Sequence, residues 1–137
     1  MRTITGRALV AGEATGKAMV LEEPLSFWGG LDPATGRLVD PHHPQRGAIL
    51  TGRVLVMPAG RGSSSSSSVL AEAIRLGTAP AAIVLGEQDQ IVAIGAIVAR
   101  ELYGLVVPVL TIEPDAYAGI EDGIVLRMMG PTVTALP

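Results

Sequence analysis

The spacing of apolar residues changes character near residue 60 of this chain. Before it, short apolar segments such as Ala8-Leu9-Val10 and Ala18-Met19-Val20-Leu21 are set apart by Gly6, Gly12 and Gly16. That is the spacing of strands joined by tight turns. Residues 26–47 then lose all periodicity and carry Gly29, Gly30, Pro33, Gly36, Pro41 and Pro44. Loops this long in a compact domain are usually functional or disordered. The embedded Phe27-Trp28 argues against disorder, because so much apolar surface needs a partner. Leu38-Val39 has the character of a short strand within the stretch.

After residue 60 the pattern alternates between strands and helices. Residues 54–57 and 81–85 are unbroken apolar runs, the mark of strands buried on both faces. Val69, Leu70, Ala73 and Ile74 fall on one helical face, and Gly77 is placed to end that helix in a left-handed conformation. Ile91, Ile94, Ile97, Val98 and Leu102 trace a second amphipathic face closed by Gly104. Residues 106–112 predict a third strand, and 124–128 a last one. Strand–helix–strand–helix–strand with short links implies right-handed crossovers and a parallel sheet. The expected fold class is therefore α/β, with a β-rich N-terminal half and a parallel α/β C-terminal half, in one domain over residues 1–137.

Composition narrows the function classes. Apolar residues make up 48% of the 137, but only 3% are aromatic, so Val, Ile, Leu and Ala must build the core. The length suits one domain with a real core and is small for a self-contained multi-step enzyme. Net charge is −3 and only Lys17 is lysine, which leaves no basic stripe for nucleic acid. Cysteine is absent. No disulfide can form, and this chain alone cannot supply thiolates to a metal or an iron–sulfur cluster. Met1-Arg2-Thr3-Ile4-Thr5-Gly6 moves straight into strand-like alternation rather than a signal-peptide pattern, and the apolar runs are too short to span a bilayer. A soluble, cytoplasmic protein is expected.

The candidate chemistry centres on Gly60-Arg61-Gly62 and the six serines that follow, Ser63 to Ser68. This run joins a strand to a helix start, where backbone N–H groups and the helix dipole favour an anion. Glycines permit close backbone approach, and Arg61 can bind a carboxylate or phosphate bidentately. Fixed donors and a cation near Ser63 would stabilise its alkoxide form enough for proton abstraction. The competing reading is a helix cap, supplied by one of Ser64 to Ser67. No Walker motif is present, because its Gly-Lys-Ser/Thr ending is missing.

Three further groups carry alternatives. Ser26-Phe27-Trp28-Gly29-Gly30-Leu31-Asp32-Pro33 either covers a site or docks a partner, or is a loop anchored on the core by its own Trp28. His42-His43 has no third metal ligand in view and reads as structural. Glu87-Gln88-Asp89-Gln90 is a polar link in which Asp89 caps the next helix, with a site role left open by its place after a strand. Glu72, Arg75, Arg100 and Glu101 read as solvated helix-face charges.

The Gly12…Gly16 opening, the Phe27-Trp28-Gly29-Gly30 loop, Gly60-Arg61-Gly62-Ser63-Ser64 and the segment Thr78-Ala79-Pro80-Ala81-Ala82-Ile83-Val84-Leu85 occur in this order over most of the chain. Together they resemble the aconitase X small subunit, or swivel domain. The resemblance implies a swivelling β/β/α fold like the mobile domain of aconitases, in which a Gly-Ser-Ser turn brings a catalytic serine against the substrate. It implies that Ser63 is the proton acceptor, with Arg61 and the amides of Gly62 and Ser64 supporting the charge. It also implies a separate, cysteine-containing large subunit holding the iron–sulfur cluster and most ligands for a hydroxy-acid substrate. The chain alone would then be inactive. One branch of such hydro-lyases resembles cis-3-hydroxy-L-proline dehydratase and another phosphomevalonate dehydratase. The serines after Ser63, where archaeal members often continue with Thr-Val-Gly-like residues, favour the first branch, as does the Pro58-Ala59 lead-in. The alternatives are a non-catalytic swivel or interaction module and a free-standing phosphate-binding protein.

Overall fold

The computed structural model describes residues 2–137. Its strands are β1 (Thr3–Thr5), β2 (Arg7–Val10), β3 (Glu13–Val20), β4 (Leu31–Asp32), β5 (Arg37–Leu38), β6 (Val54–Met57), β7 (Ala82–Leu85), β8 (Val109–Thr111), β9 (Val125–Met129) and β10 (Thr132–Ala135). The helices are α1 (Phe27–Gly30), a single distorted turn, α2 (Ser66–Leu76), α3 (Gln90–Tyr103) and the short α4 (Pro114–Ala118). Eight strands hydrogen-bond in the order β1-β10-β9-β3-β6-β7-β8-β2. The links β3–β6, β6–β7 and β7–β8 are parallel, and the others are antiparallel.

Strand β3 belongs to two sheets. Its first part, Glu13 to Lys17, pairs antiparallel with β9, and its end, Ala18 to Val20, pairs parallel with β6. The chain changes sheets a second time at Gly6, the one residue between β1 and β2, which lie at opposite ends of the strand order. Gly6 donates its N–H to the Pro131 carbonyl at 2.7 Å, and a Cβ there would overlap the Thr111 carbonyl oxygen. Only glycine lets backbone from both sheets meet so closely.

Burial explains the three layers. In β6, Leu55 and Met57 face the helices, whereas Val54 and Val56 face the antiparallel strands. In β7, Ile83 and Leu85 take the first side and Ala82 and Val84 the second. A period-2 run that is apolar throughout therefore feeds two cores at once. Helices, parallel sheet and antiparallel sheet stack in that order: the β/β/α arrangement expected.

The predicted elements hold with local differences. Gly77 and Gly104 end α2 and α3 at φ 79 and 67, as expected. The third parallel strand is shorter than 106–112 and starts at Val109, because Pro108 has no N–H to give to a ladder. The strand near 124–128 is not the last, for Gly130 at φ 58 turns the chain before Pro131 and β10 pairs back on β9. The irregular 26–47 stretch is packed: β4 and β5 form a small hairpin, and Leu31 and Leu38 lie in the helix-side core with Leu50. Glu72 pairs with Arg75 and Arg100 with Glu101 on exposed helix faces. Among the described residues no helix is long and apolar enough to cross a membrane.

Candidate functional site

The parallel strands deliver four loops to their carboxyl ends, the edge at which α/β sheets bind ligands. The loop after β6 is Pro58-Ala59-Gly60-Arg61-Gly62, running into the serines. It lies against the segment leaving β3: Leu25 and Gly60 form a parallel bridge, and the Arg61 N–H reaches the Leu25 carbonyl at 3.2 Å. On its other flank sits Asp89, from the loop after β7. As predicted, Asp89 caps α3, its Oδ1 accepting the Val92 N–H at 3.1 Å. The same carboxylate fills the space beside Gly60, where a Cβ would overlap Oδ2. Asp89 thus fixes both a helix start and the path of the glycine loop. Replacing it by alanine (Asp89→Ala) is expected to cost about 1 kcal/mol in denaturant unfolding, the usual worth of a lost cap.

The six serines have different jobs. Ser63 is half-buried; its carbonyl accepts the Ser66 N–H at 2.9 Å and its Oγ accepts the Ser65 N–H at 3.2 Å. The cap expected from Ser64 to Ser67 is therefore supplied by Ser63 instead. Ser65, at the formal cap position, already has helical φ/ψ of −64 and −17, and its side chain makes no capping bond. Ser64 and Ser65 are exposed. Ser66 is 97% buried, with 3% relative exposure; its Oγ pairs with Ser26 Oγ at 3.1 Å and accepts the Trp28 N–H at 3.0 Å. Ser67 donates to the Ile91 carbonyl at 2.7 Å, where α2 and α3 cross so tightly that a Cβ on Gly95 would come within 2.8 Å of the Ser67 carbonyl.

Around Ser63, the N–H groups of Gly62 and Ser64 donate to nothing among the described residues. Arg61 is exposed and lies 3.7 Å from the Glu23 carboxylate. The structure thus brings Arg61, Gly62, Ser63 and Ser64 together at a helix start, with free donors on either side of the hydroxyl. The crevice behind them, lined by Leu25, Phe27, Gly60, Ser66 and Asp89, offers about 10 Å³. That is room for no more than a water.

The aromatic pair divides its labour. Phe27 is 1% exposed and packs in the helix-side core, whereas Trp28 is 59% exposed. The loop is thus anchored by Phe27 and not, as one reading had it, by Trp28. His43 is buried and hydrogen-bonded on both ring nitrogens, to the Glu23 carbonyl and the Gln45 N–H, in keeping with a structural role; His42 is exposed. Tyr117 donates to the Leu21 carbonyl at 3.1 Å, and burial raises its phenol above the ordinary value, so it stays protonated there. No three of His, Asp and Glu gather to hold a metal among the described residues, and cysteine is absent. The chain does not itself fit an iron–sulfur cluster. Ser66, Ser26 and Glu23 were not singled out from sequence. Ser66 is one of six identical neighbours, and Glu23 is distinguished only by what folds against it.

Fold and loop together define a β/β/α domain that presents a serine at a helix start on the carboxyl edge of its parallel strands. The chain belongs to the aconitase X swivel domain family, whose family model matches residues 3–135. It is 53% identical over 106 residues to a cis-3-hydroxy-L-proline dehydratase of Pseudomonas aeruginosa, covering 77% of this chain and 18% of that protein. It is 39% identical to the phosphomevalonate dehydratase small subunit of Methanothermobacter thermautotrophicus, covering 82% of this chain and 93% of that subunit. A crystal structure of Thermococcus kodakaraensis aconitase X in its holo-form superposes with a TM-score of 0.89 at 33% identity, over 100% of both chains. The chain spans 18% and 22% of the length of the first two curated relatives that it matches, so it corresponds to a small part of those proteins.

Proposed function

We propose that this chain is the serine-bearing small subunit of an aconitase X-type hydro-lyase and that its substrate is cis-3-hydroxy-L-proline. The observation that carries the reading is Ser63 at the start of α2, its Oγ already accepting one N–H and flanked by the free amides of Gly62 and Ser64. Donors fixed on an oxygen stabilise negative charge there without reorganisation. Ser63 Oγ, in its alkoxide form, takes the proton from the carbon next to the substrate carboxylate. The C–H electron pair becomes the new double bond and the hydroxyl departs from the adjacent carbon. From hydroxyproline the product is an enamine, which tautomerises to a cyclic imine. Arg61 steadies the carboxylate, and the amides of Gly62 and Ser64 steady the charge near Ser63.

The remaining machinery lies in a partner. A cysteine-containing large subunit carries the iron–sulfur cluster and most substrate ligands, and this chain supplies no ligand to that cluster. Three features of the carboxyl rim support a covered site: a crevice too small for substrate, the exposed Trp28 beside the helix start, and an open apolar groove of about 430 Å³ lined by residues such as Pro24, Pro58 and Tyr117. Closing this domain over the partner would exclude water from the reaction. We place the enzyme in the cytoplasm.

One finding favours a second reading. The separate phosphomevalonate dehydratase small subunit of Methanothermobacter thermautotrophicus matches this chain over 93% of its own length, which supports a two-chain arrangement. Assaying the two-subunit enzyme with both compounds decides between them. Water loss from cis-3-hydroxy-L-proline and none from phosphomevalonate is expected; the reverse would transfer the chain to the other branch. The small subunit alone is expected to turn over neither.

A further inference from the structure

Glu23 is held in place from two directions. Behind it, His43 accepts the Gln45 N–H on Nδ1 at 3.1 Å, which leaves the proton on Nε2 to be donated to the Glu23 carbonyl at 3.1 Å. Gln45 accepts the Glu22 N–H at 2.8 Å and donates to the Val20 carbonyl at 2.8 Å. In front, the Leu25–Gly60 bridge and the Arg61 N–H bond to Leu25 tie the same segment to the serine loop. The buried His43 and the half-buried Gln45 thus fix the backbone from which Glu23 meets Arg61 at 3.7 Å, two residues before Ser63. The Glu23 and Arg61 side chains remain 49% and 53% exposed. An ion pair so open to water adds little to stability, and its charges stay available to a ligand.

A cation and an anion side by side complement a molecule that carries the opposite pair. We propose that Glu23 is a specificity-determining residue that, with Arg61, selects a substrate bearing a cationic amine next to its carboxylate. This rests on the reading of Ser63 as the proton acceptor. Arg61 receives the carboxylate and Glu23 the ammonium, so the reacting carbon between them is offered to Ser63. Glu22, Glu87 and Asp89 stand on the same group of loops and add negative charge. A hydroxy acid that carries a phosphate brings only negative charge to this rim and leaves Glu23 without a partner of opposite sign. An amino acid satisfies both partners.

The test uses the two-subunit enzyme and two inhibitors of the same ring size, L-proline and cyclopentanecarboxylate, which differ in the amine. The Glu23→Gln variant is expected to bind proline about tenfold more weakly, the usual worth of one charge-assisted hydrogen bond. Binding of cyclopentanecarboxylate should stay unchanged, and the loss on the amino-acid substrate should fall on KM rather than kcat. Unchanged proline binding, or equal weakening of both inhibitors, would overturn the role of Glu23. Ser63→Ala, measured in parallel, keeps the two ideas apart. It should lower turnover by about a thousandfold while retaining the preference for proline, and full turnover by that variant would remove the site reading itself.

Discussion

Replacing Ser63 by alanine should lower kcat of the proposed two-subunit enzyme by about a thousandfold, within the range for loss of a positioned acid–base group. Association with the large subunit should be unaffected. The alanine variant alone is ambiguous, because Ser63 also accepts the Ser65 N–H and so serves as the cap of α2. Losing that bond costs about 1 kcal/mol and could disturb the loop. Ser63→Asn separates the two roles. Asparagine caps about as well as serine, so folding stability should return, but the carboxamide is no proton acceptor and turnover should stay low. If the serine only caps, Ser63→Asn will be nearly as active as the wild type. Steady-state turnover together with urea unfolding of each variant distinguishes these outcomes.

The largest effect on stability is expected at Phe27. Its ring is 1% exposed in the helix-side core, the only phenylalanine in the sequence, and it anchors the loop whose next residue donates its N–H to Ser66. Truncation to alanine (Phe27→Ala) should cost about 3–5 kcal/mol, the usual range for a buried aromatic. That is a large share of the 5–15 kcal/mol, roughly, that holds a domain together. Trp28→Ala should change stability by no more than about 0.5 kcal/mol, as at other exposed positions. Urea unfolding midpoints of the two variants should therefore differ widely although the residues are neighbours. Similar midpoints would contradict the assignment of Phe27 as the anchor of the loop.

The parallel half of the fold was legible because β6 and β7 are apolar on both faces and α2 and α3 carry clear helical stripes ended by glycines. Strand β10 was hidden because Thr132-Val133-Thr134 offers one buried apolar residue, and its pairing depends on the turn at Gly130 and Pro131. Closure at Gly6 could not be read, since what excludes a side chain there is the Thr111 carbonyl, over a hundred residues away. The serine run shows the limit for the site. Six identical residues carry no local signal that Ser66 is the buried pin, Ser67 the helix-crossing donor and Ser63 the cap. The roles of Ser66 and Ser67 come from Ser26, Trp28 and Ile91, which fold against them, and that of Ser63 from the local turn that brings the Ser65 N–H to its Oγ. Glu23 and His43 are similar: chemistry-bearing residues whose pairing exists only in three dimensions.

In the proposed mechanism Ser63 removes the proton next to the substrate carboxylate. Release of label into water from cis-3-hydroxy-L-proline tritiated at that carbon follows this step directly in the two-subunit enzyme. The wild type should release label in proportion to the product formed, slowed only by the isotope effect of tritium. In Ser63→Asn, label release and product formation should fall together, by about a thousandfold. Label release at the wild-type rate from Ser63→Asn would contradict the claim and assign the proton to another base.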